Sequence, residues 1–171
     1  MAKINNFNVG ATYKIVTTTT PTGSVNSLSN TLINSILIPA NTFSANDIVT
    51  LETCVTKSGG VYQGSTYFYY NTSSSLVGAT LLATFSNFGT STRAAQNYRR
   101  LAIVTADGSG NGTQVVSTSF NGRDDMGSYN YTGGFSTLSI NWTSDIYLIV
   151  SGLVANSAES LTCQWIKASN G

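Results

Sequence analysis

Short stretches in which apolar and polar residues alternate recur along this chain, separated by clusters of Gly, Asn and Ser. In one of them, Leu138, Ile140 and Trp142 alternate with Ser139 and Asn141. Alternation of period two places side chains on opposite faces of an extended strand. No stretch carries an apolar stripe at helical spacing over three turns. The pattern therefore predicts an all-β protein.

The recurring stretches have the length and spacing of strands in an antiparallel β-sandwich or jelly roll. In the last stretch, Leu161, Cys163 and Trp165 are expected to share one face, with Ile166 on the other. We predict strands over 11–18, 32–38, 47–57, 61–70, 79–85, 97–106, 113–121, 138–143, 146–154 and 161–168.

A proline divides two of these stretches near the start of the chain. The apolar run 36–38 stops at Pro39, which cannot donate a hydrogen bond to a sheet and so ends a strand or lies at an edge. Asn41, Ser44 and Asp47 then supply residues that favour turns. We predict a tight corner between two strands here, shaped by Pro39 and Asn41.

The chain is poor in charge and rich in aromatic residues. Of its 171 residues, 9% are charged and 11% are aromatic, and the net charge is +1. A disordered chain would carry more charge and fewer aromatic residues, so a folded domain is expected. A nearly neutral chain is also not expected to bind nucleic acid electrostatically. Weak self-repulsion suits a protein that assembles with copies of itself.

The absence of histidine excludes several kinds of catalytic and metal site. Ser-His-Asp and Cys-His sites cannot form, and two cysteines alone do not complete a zinc site. A carboxylate pair at Asp124 and Asp125 is the remaining route to hydrolysis, but its Gly-rich surroundings indicate a solvated turn. The segment beginning at Asp107 imitates a calcium loop, yet Thr118 stands where the closing Glu belongs. We predict no enzymatic activity and no cofactor.

Cys54 and Cys163 are far apart in sequence and lie in apolar stretches. This setting favours buried thiols, and a disulfide between the two is the alternative. The first residues lack the apolar region of a secretory signal. No apolar run approaches the length of a membrane span, so none is expected.

Tyrosines form two groups that suit binding. One predicted strand is crowded with aromatic residues, for which core packing together with a contact between subunits is the favoured interpretation: Tyr62, Tyr67, Phe68, Tyr69 and Tyr70. Tyr129 and Tyr131 lie in a Gly-rich loop. An exposed tyrosine ring stacks on sugars and supplies a hydroxyl group. Tyr129 and Tyr131 are therefore the candidate ligand-binding residues.

Two phrases of the sequence resemble the small jelly-roll domains of tailed-phage virion proteins. One is Ile-Pro-Ala-Asn-Thr at 38–42, followed by Asp-Ile-Val at 47–49. The other begins with Ile-Asn-Trp at 140–142 and an apolar strand, and ends with Ala-Asn at 155–156, Glu159 and a final strand. The resemblance covers residues 32–168.

The resemblance implies a homotrimeric jelly roll located in the virion, of the head-fibre or capsid-decoration type. Residues 1–30 would be an N-terminal strand and arm that attaches to other virion proteins, and residues 31–171 the jelly-roll domain. Host-surface glycan is a further partner that the resemblance implies. The alternatives are a receptor-binding tip of a tail fibre, a monomeric carbohydrate-binding module and, less favoured, a glycan hydrolase acting through Asp124 or Asp125.

Overall fold

The computed structural model describes residues 15–18, 25–44, 47–60, 62–88, 95–104, 111–117, 119–120 and 135–170. All regular structure in these ranges is β-strand, as the alternating pattern predicts. No helix in them is long and apolar enough to cross a membrane. The strands are β1 (Ile15–Thr18), β2 (Thr31–Ile38), β3 (Ile48–Ser58), β4 (Gly64–Asn71), β5 (Thr80–Phe88), β6 (Ala95–Val104), β7 (Asn111–Ser117), β8 (Ser119–Phe120), β9 (Phe135–Asn141), β10 (Ile146–Val154) and β11 (Ser160–Ser169).

Two sheets form a β-sandwich. One has four strands in the order β1-β11-β3-β6, and the other has five in the order β2-β10-β4-β5-β8. Strands β7 and β9 form a separate pair. The described pairings are antiparallel except for β5 with the short β8, which is parallel. The core between the sheets includes Ile36, Ile38, Leu51, Val55, Phe68, Leu82, Leu148, Val150, Leu161 and Ile166.

The predicted strands are found at nearly the predicted positions. The largest difference is at 113–121, which is divided between β7 and β8. Of the predicted strand over 11–18, the structure describes residues 15–18, which pair with β11. The assignment of residues 1–30 to an arm stays a prediction.

The predicted facing of β11 is wrong in its second half. The pairing of β11 with β3 shifts between Cys163 and Trp165, so Gln164 is an extra residue in a β-bulge. A one-residue shift reverses which side chains face the core. Ile166 is therefore fully buried in the core, whereas Trp165 is only half-buried on the outer face.

The predicted corner after Pro39 is present. β2 ends at Ile38, and Asn41 adopts a left-handed conformation with a φ of 61°. The corner packs against the turn that follows β9: the Asn41 amide donates to the Trp142 carbonyl at 2.8 Å. Phe43 is buried edge-on against the Trp142 ring, with centroids 5.5 Å apart. The corner thus joins two turns at one end of the sandwich.

Both cysteines are free and buried, as the sequence favoured. Cys163 belongs to the core between the sheets. Cys54 is adjacent in sequence to the core residue Val55 and so faces the other side of the sheet. Because the two side chains leave the sheet in opposite directions, the alternative of a disulfide between them does not apply.

Candidate functional site: an uncharged tyrosine face

The aromatic strand β4 divides its rings between two faces of the five-stranded sheet. Phe68 is buried in the core and Tyr70 packs partly against it. Tyr67 and Tyr69 alternate with them and lie on the outer face, where both are half-buried. The core packing that the sequence predicts for this cluster agrees with the structure, and the predicted contact between subunits stays a prediction.

Neighbouring strands add to the two outer rings. Tyr69 lies between Ile149 on β10 and Leu81 on β5. One row further along the sheet, Tyr147 lies beside Leu37 on β2. We call the surface made by Tyr67, Tyr69, Tyr147, Leu37 and Leu81 the tyrosine face.

The tyrosine face is partly open to solvent. Leu37 is 40% exposed and Leu81 is 43% exposed. Ile149, between them on β10, is completely buried, although its position in the strand places it on the same outer side. Exposed leucines on either side of a buried isoleucine are unusual for a solvated sheet face, which normally carries polar residues.

The rings of Tyr67 and Tyr69 are held in a defined arrangement. Their centroids are 6.4 Å apart, and their planes are inclined by 44°. The Asn30 side-chain amide donates a hydrogen bond of 3.0 Å to the Tyr69 hydroxyl oxygen. The Tyr69 hydroxyl therefore keeps its own hydrogen to donate elsewhere.

No charged residue occupies the rows of the tyrosine face that the described pairings define. These rows also contain Leu32, Ser35, Asn71, Thr84 and Ser151. Ser151 is completely buried, and its hydroxyl has no hydrogen-bond partner among the described residues. The face thus offers apolar carbons and hydroxyl groups, which suit a protein surface or the ring of a neutral sugar.

A loop fixed by several hydrogen bonds borders this face at the end of β4. The Asn71 side-chain amide donates to the carbonyl oxygens of Ser75 at 2.8 Å and Val77 at 3.0 Å. The Asn71 side-chain oxygen, Oδ1, accepts the Thr72 amide at 2.8 Å. Asn71 alternates with Tyr69 and Tyr67 along β4, so its side chain lies on the tyrosine-face side, and the loop folds over that side. We call residues 72–79 the Val77 loop.

The sites predicted in loops stay untested by the described residues. Tyr129 and Tyr131 lie outside the described residues, so their role in ligand binding stays a prediction. Asp124 and Asp125 also lie outside the described residues, and so does the start of the segment that begins at Asp107, whose residues 111–117 form strand β7. The described residues contain no group of three or more Cys, Asp or Glu side chains that could hold a metal ion.

Sequence reasoning missed the contribution of Tyr147, Leu37 and Leu81. These residues lie on other strands and join Tyr67 and Tyr69 only through strand pairing. Alternation within the run 67–70 was a usable signal for the outward direction of Tyr67 and Tyr69. Nothing local indicated which residues would flank them.

No protein-family model matches the chain, and no curated protein matches it. Dimeric latent PorU from Porphyromonas gingivalis aligns with 92% of this chain, which spans 12% of that protein, at 6% identity and a TM-score of 0.42. A mutant of the Emp46p carbohydrate recognition domain aligns over 92% of this chain and 88% of its own, at 12% identity and a TM-score of 0.41. The CBM2 module of the evolved Dit of Lactobacillus casei BL23 phage J-1 aligns over 80% and 67%, at 14% identity and a TM-score of 0.33. TM-scores this low do not establish a common fold or function.

Proposed function

We propose that this protein is a non-enzymatic structural component of a bacteriophage virion, of the head-fibre or capsid-decoration type, and that it assembles as a homotrimer. The observation that carries the proposal is the tyrosine face, an uncharged apolar surface on the outside of a folded sheet. Subunits would contact each other through this face, and N-terminal residues would attach the trimer to other virion proteins. Distal loops would meet solvent and the host surface.

The size of the tyrosine face fits part of a contact between subunits. Its three rows cross β2, β10, β4 and β5 and extend over residues 67–71 of β4. Four strands at about 4.8 Å spacing and five residues at about 3.3 Å each give roughly 300 Å². A stable interface buries about 800 Å² per partner, so this face would supply the centre of one and the surface around it the remainder.

Charge and topology also support the proposal. With a net charge of +1 per chain, assembly of three copies meets little electrostatic repulsion. The consecutive strands β2, β3 and β4 alternate between the two sheets, and β10 lies between β2 and β4. This alternation supports the jelly-roll topology that the sequence resemblance implies.

Size-exclusion chromatography with light scattering tests the proposal directly. We expect a particle of three times the 18.0 kDa chain mass. Leu81→Glu places a charge in the tyrosine face and should dissociate the trimer. Leu28→Glu is the matched control, because Leu28 is also exposed but lies outside the face. A wild-type monomer, or equal behaviour of the two variants, would contradict the proposal.

Location in the particle requires a separate experiment. Gold labelling of a tagged copy, viewed by electron microscopy of purified phage, should mark the head. Label at the fibre ends would favour the alternative of a receptor-binding tail-fibre tip. Absence of the protein from purified particles would contradict a virion role.

A monomeric carbohydrate-binding module is the second candidate function. The ring pair of Tyr67 and Tyr69 favours it, since neighbouring aromatic rings stack on sugars and Tyr69 retains a hydroxyl hydrogen to donate. This function predicts a monomer whose sugar affinity, measured by calorimetry against a panel of neutral oligosaccharides, is lost in Tyr67→Ala. Tyr62→Ala is the control, since that exposed tyrosine precedes β4 and lies outside the face.

A further inference from the structure

Val77 is the most exposed of the large apolar side chains that the structure describes, at 87%. Single exposed apolar residues are normal on a protein surface. Val77 differs in two respects: it lies beside the apolar tyrosine face, and hydrogen bonds fix the backbone of its loop. Besides the Asn71 contacts, the Val77 amide donates to the Ser75 hydroxyl oxygen at 3.1 Å, and the Ala79 amide donates to the Leu76 carbonyl at 3.2 Å.

This ordered loop is preorganised to present its apolar tip. Its residues, Thr-Ser-Ser-Ser-Leu-Val-Gly-Ala, include no charge. Fixing a loop before binding reduces the conformational entropy lost when a partner contacts it. The loop also lies on the side of the tyrosine face, because Asn71 anchors it there. An uncharged apolar tip therefore borders an uncharged apolar face on the same subunit.

We propose that the Val77 loop of one subunit packs against the tyrosine face of the next, so that three copies close a ring. This inference rests on the proposed homotrimer and names its contact surfaces. A three-fold ring needs heterologous contacts, in which one patch meets a different patch on the neighbour. The loop tip and the tyrosine face are two such patches, and neither carries a charge that would oppose the contact.

A pair of loop variants tests the contact. Val77→Asp places a charge at the tip, and Ser74→Asp places the same charge at another exposed position of the same loop. We expect Val77→Asp to raise the concentration at which trimers dissociate by about 100-fold or more. The substitution would bury an unpaired charge in each of the three contacts of a trimer. Ser74→Asp should leave the trimer intact. Both variants should keep the wild-type circular dichroism spectrum, since the two side chains are exposed.

Engineered cysteines test which surface the loop meets. Val77→Cys and Leu37→Cys chains, co-expressed and oxidised, should give a disulfide-linked pair on a non-reducing gel. Each variant oxidised alone should give none, and the native cysteines are buried. Dimers from Val77→Cys alone would show a symmetric tip-to-tip contact and overturn the inference.

The outcomes separate this inference from the proposed function. If the wild type and Val77→Asp are both trimers, the proposed loop contact is wrong, and the proposed homotrimer is still supported. A monomeric wild type overturns both. A trimer that Val77→Asp dissociates, with the mixed disulfide formed, supports both.

Discussion

Lys57 and Glu159 form an ion pair 2.8 Å long, and both side chains are completely buried. The Lys57 ammonium group also donates to the Gly60 carbonyl oxygen at 2.8 Å, and Glu159 Oε1 accepts the Tyr62 amide. Glu159 Oε2 has no hydrogen-bond partner among the described residues. The pair therefore holds the turn after β3 against the turn that precedes β11.

Breaking this pair should strongly destabilise the fold. Glu159→Gln leaves the Lys57 charge buried without its counter-charge, and we expect a loss of about 3–5 kcal/mol in the free energy of unfolding. The double variant Lys57→Met, Glu159→Leu should lose less than Glu159→Gln, because no buried charge remains. Urea denaturation measures the free energy of unfolding of both variants. Ser157→Ala, an exposed change in the same turn, is the control, and a Glu159→Gln loss no larger than that of the control would contradict the prediction.

Two glycines with positive φ should differ in their tolerance of alanine. At Gly59, with a φ of 108°, an added Cβ would lie 2.2 Å from the Ala158 carbonyl oxygen. Gly59→Ala must move backbone atoms and should cost roughly 3 kcal/mol or more. Gly78 has a φ of 76° with nothing within 4 Å of an added Cβ, so Gly78→Ala should cost about 1 kcal/mol. Equal thermal unfolding midpoints for Gly59→Ala and Gly78→Ala would show that the short distance to the Ala158 carbonyl oxygen does not affect stability.

Stability should decline at alkaline pH through Cys163. Burial raises the pKa of its thiol above the ordinary value, although hydrogen bonds with Thr53 and the Trp165 carbonyl act in the opposite direction. A pKa that is raised in the folded state gives stability that is complete below the unfolded value and is lost as pH rises. We therefore expect the free energy of unfolding to fall above about pH 9 more steeply in the wild type than in Cys163→Ala. The same pH dependence of the free energy of unfolding in the two proteins would contradict this prediction.

The Val77 loop should lose order when its anchor is removed. Asn71→Ala deletes the amide that donates to two loop carbonyls and the oxygen that accepts the Thr72 amide. Hydrogen exchange of residues 72–79 should quicken by about tenfold or more, since each lost hydrogen bond contributes about 1 kcal/mol. Exchange in β10 should be unchanged. Uniform quickening across the chain would instead indicate global destabilisation.

Several features of the site were predictable because they depend on neighbours in sequence. Pro39 ends β2 because proline lacks an amide hydrogen, and the following corner needs a residue such as Asn41 that tolerates a positive φ. Alternation also separates Tyr67 and Tyr69 from Phe68 and predicts opposite directions for them. These features follow from local stereochemistry.

Other features depend on register, which the local pattern leaves open. The bulge at Gln164 moves Trp165 outward and Ile166 into the core, against the uninterrupted alternation that the sequence suggested. Glu159 follows the turn residues 155–158, and the approach of two turns that are distant in sequence buries it beside Lys57. Neither the bulge nor the burial of Glu159 can be predicted from the residues that are adjacent in sequence.

The sequence by itself determined an all-β chain, the positions of its strands, the Pro39 corner and the absence of any histidine-based site. Only the tertiary structure decided that β10 lies between β2 and β4, which brings Tyr147 and Leu37 beside Tyr67 and Tyr69. Local propensity and alternation act over a few residues, whereas a sheet face is composed by hydrogen bonds between strands that are distant in the chain. The tyrosine face exists for that reason.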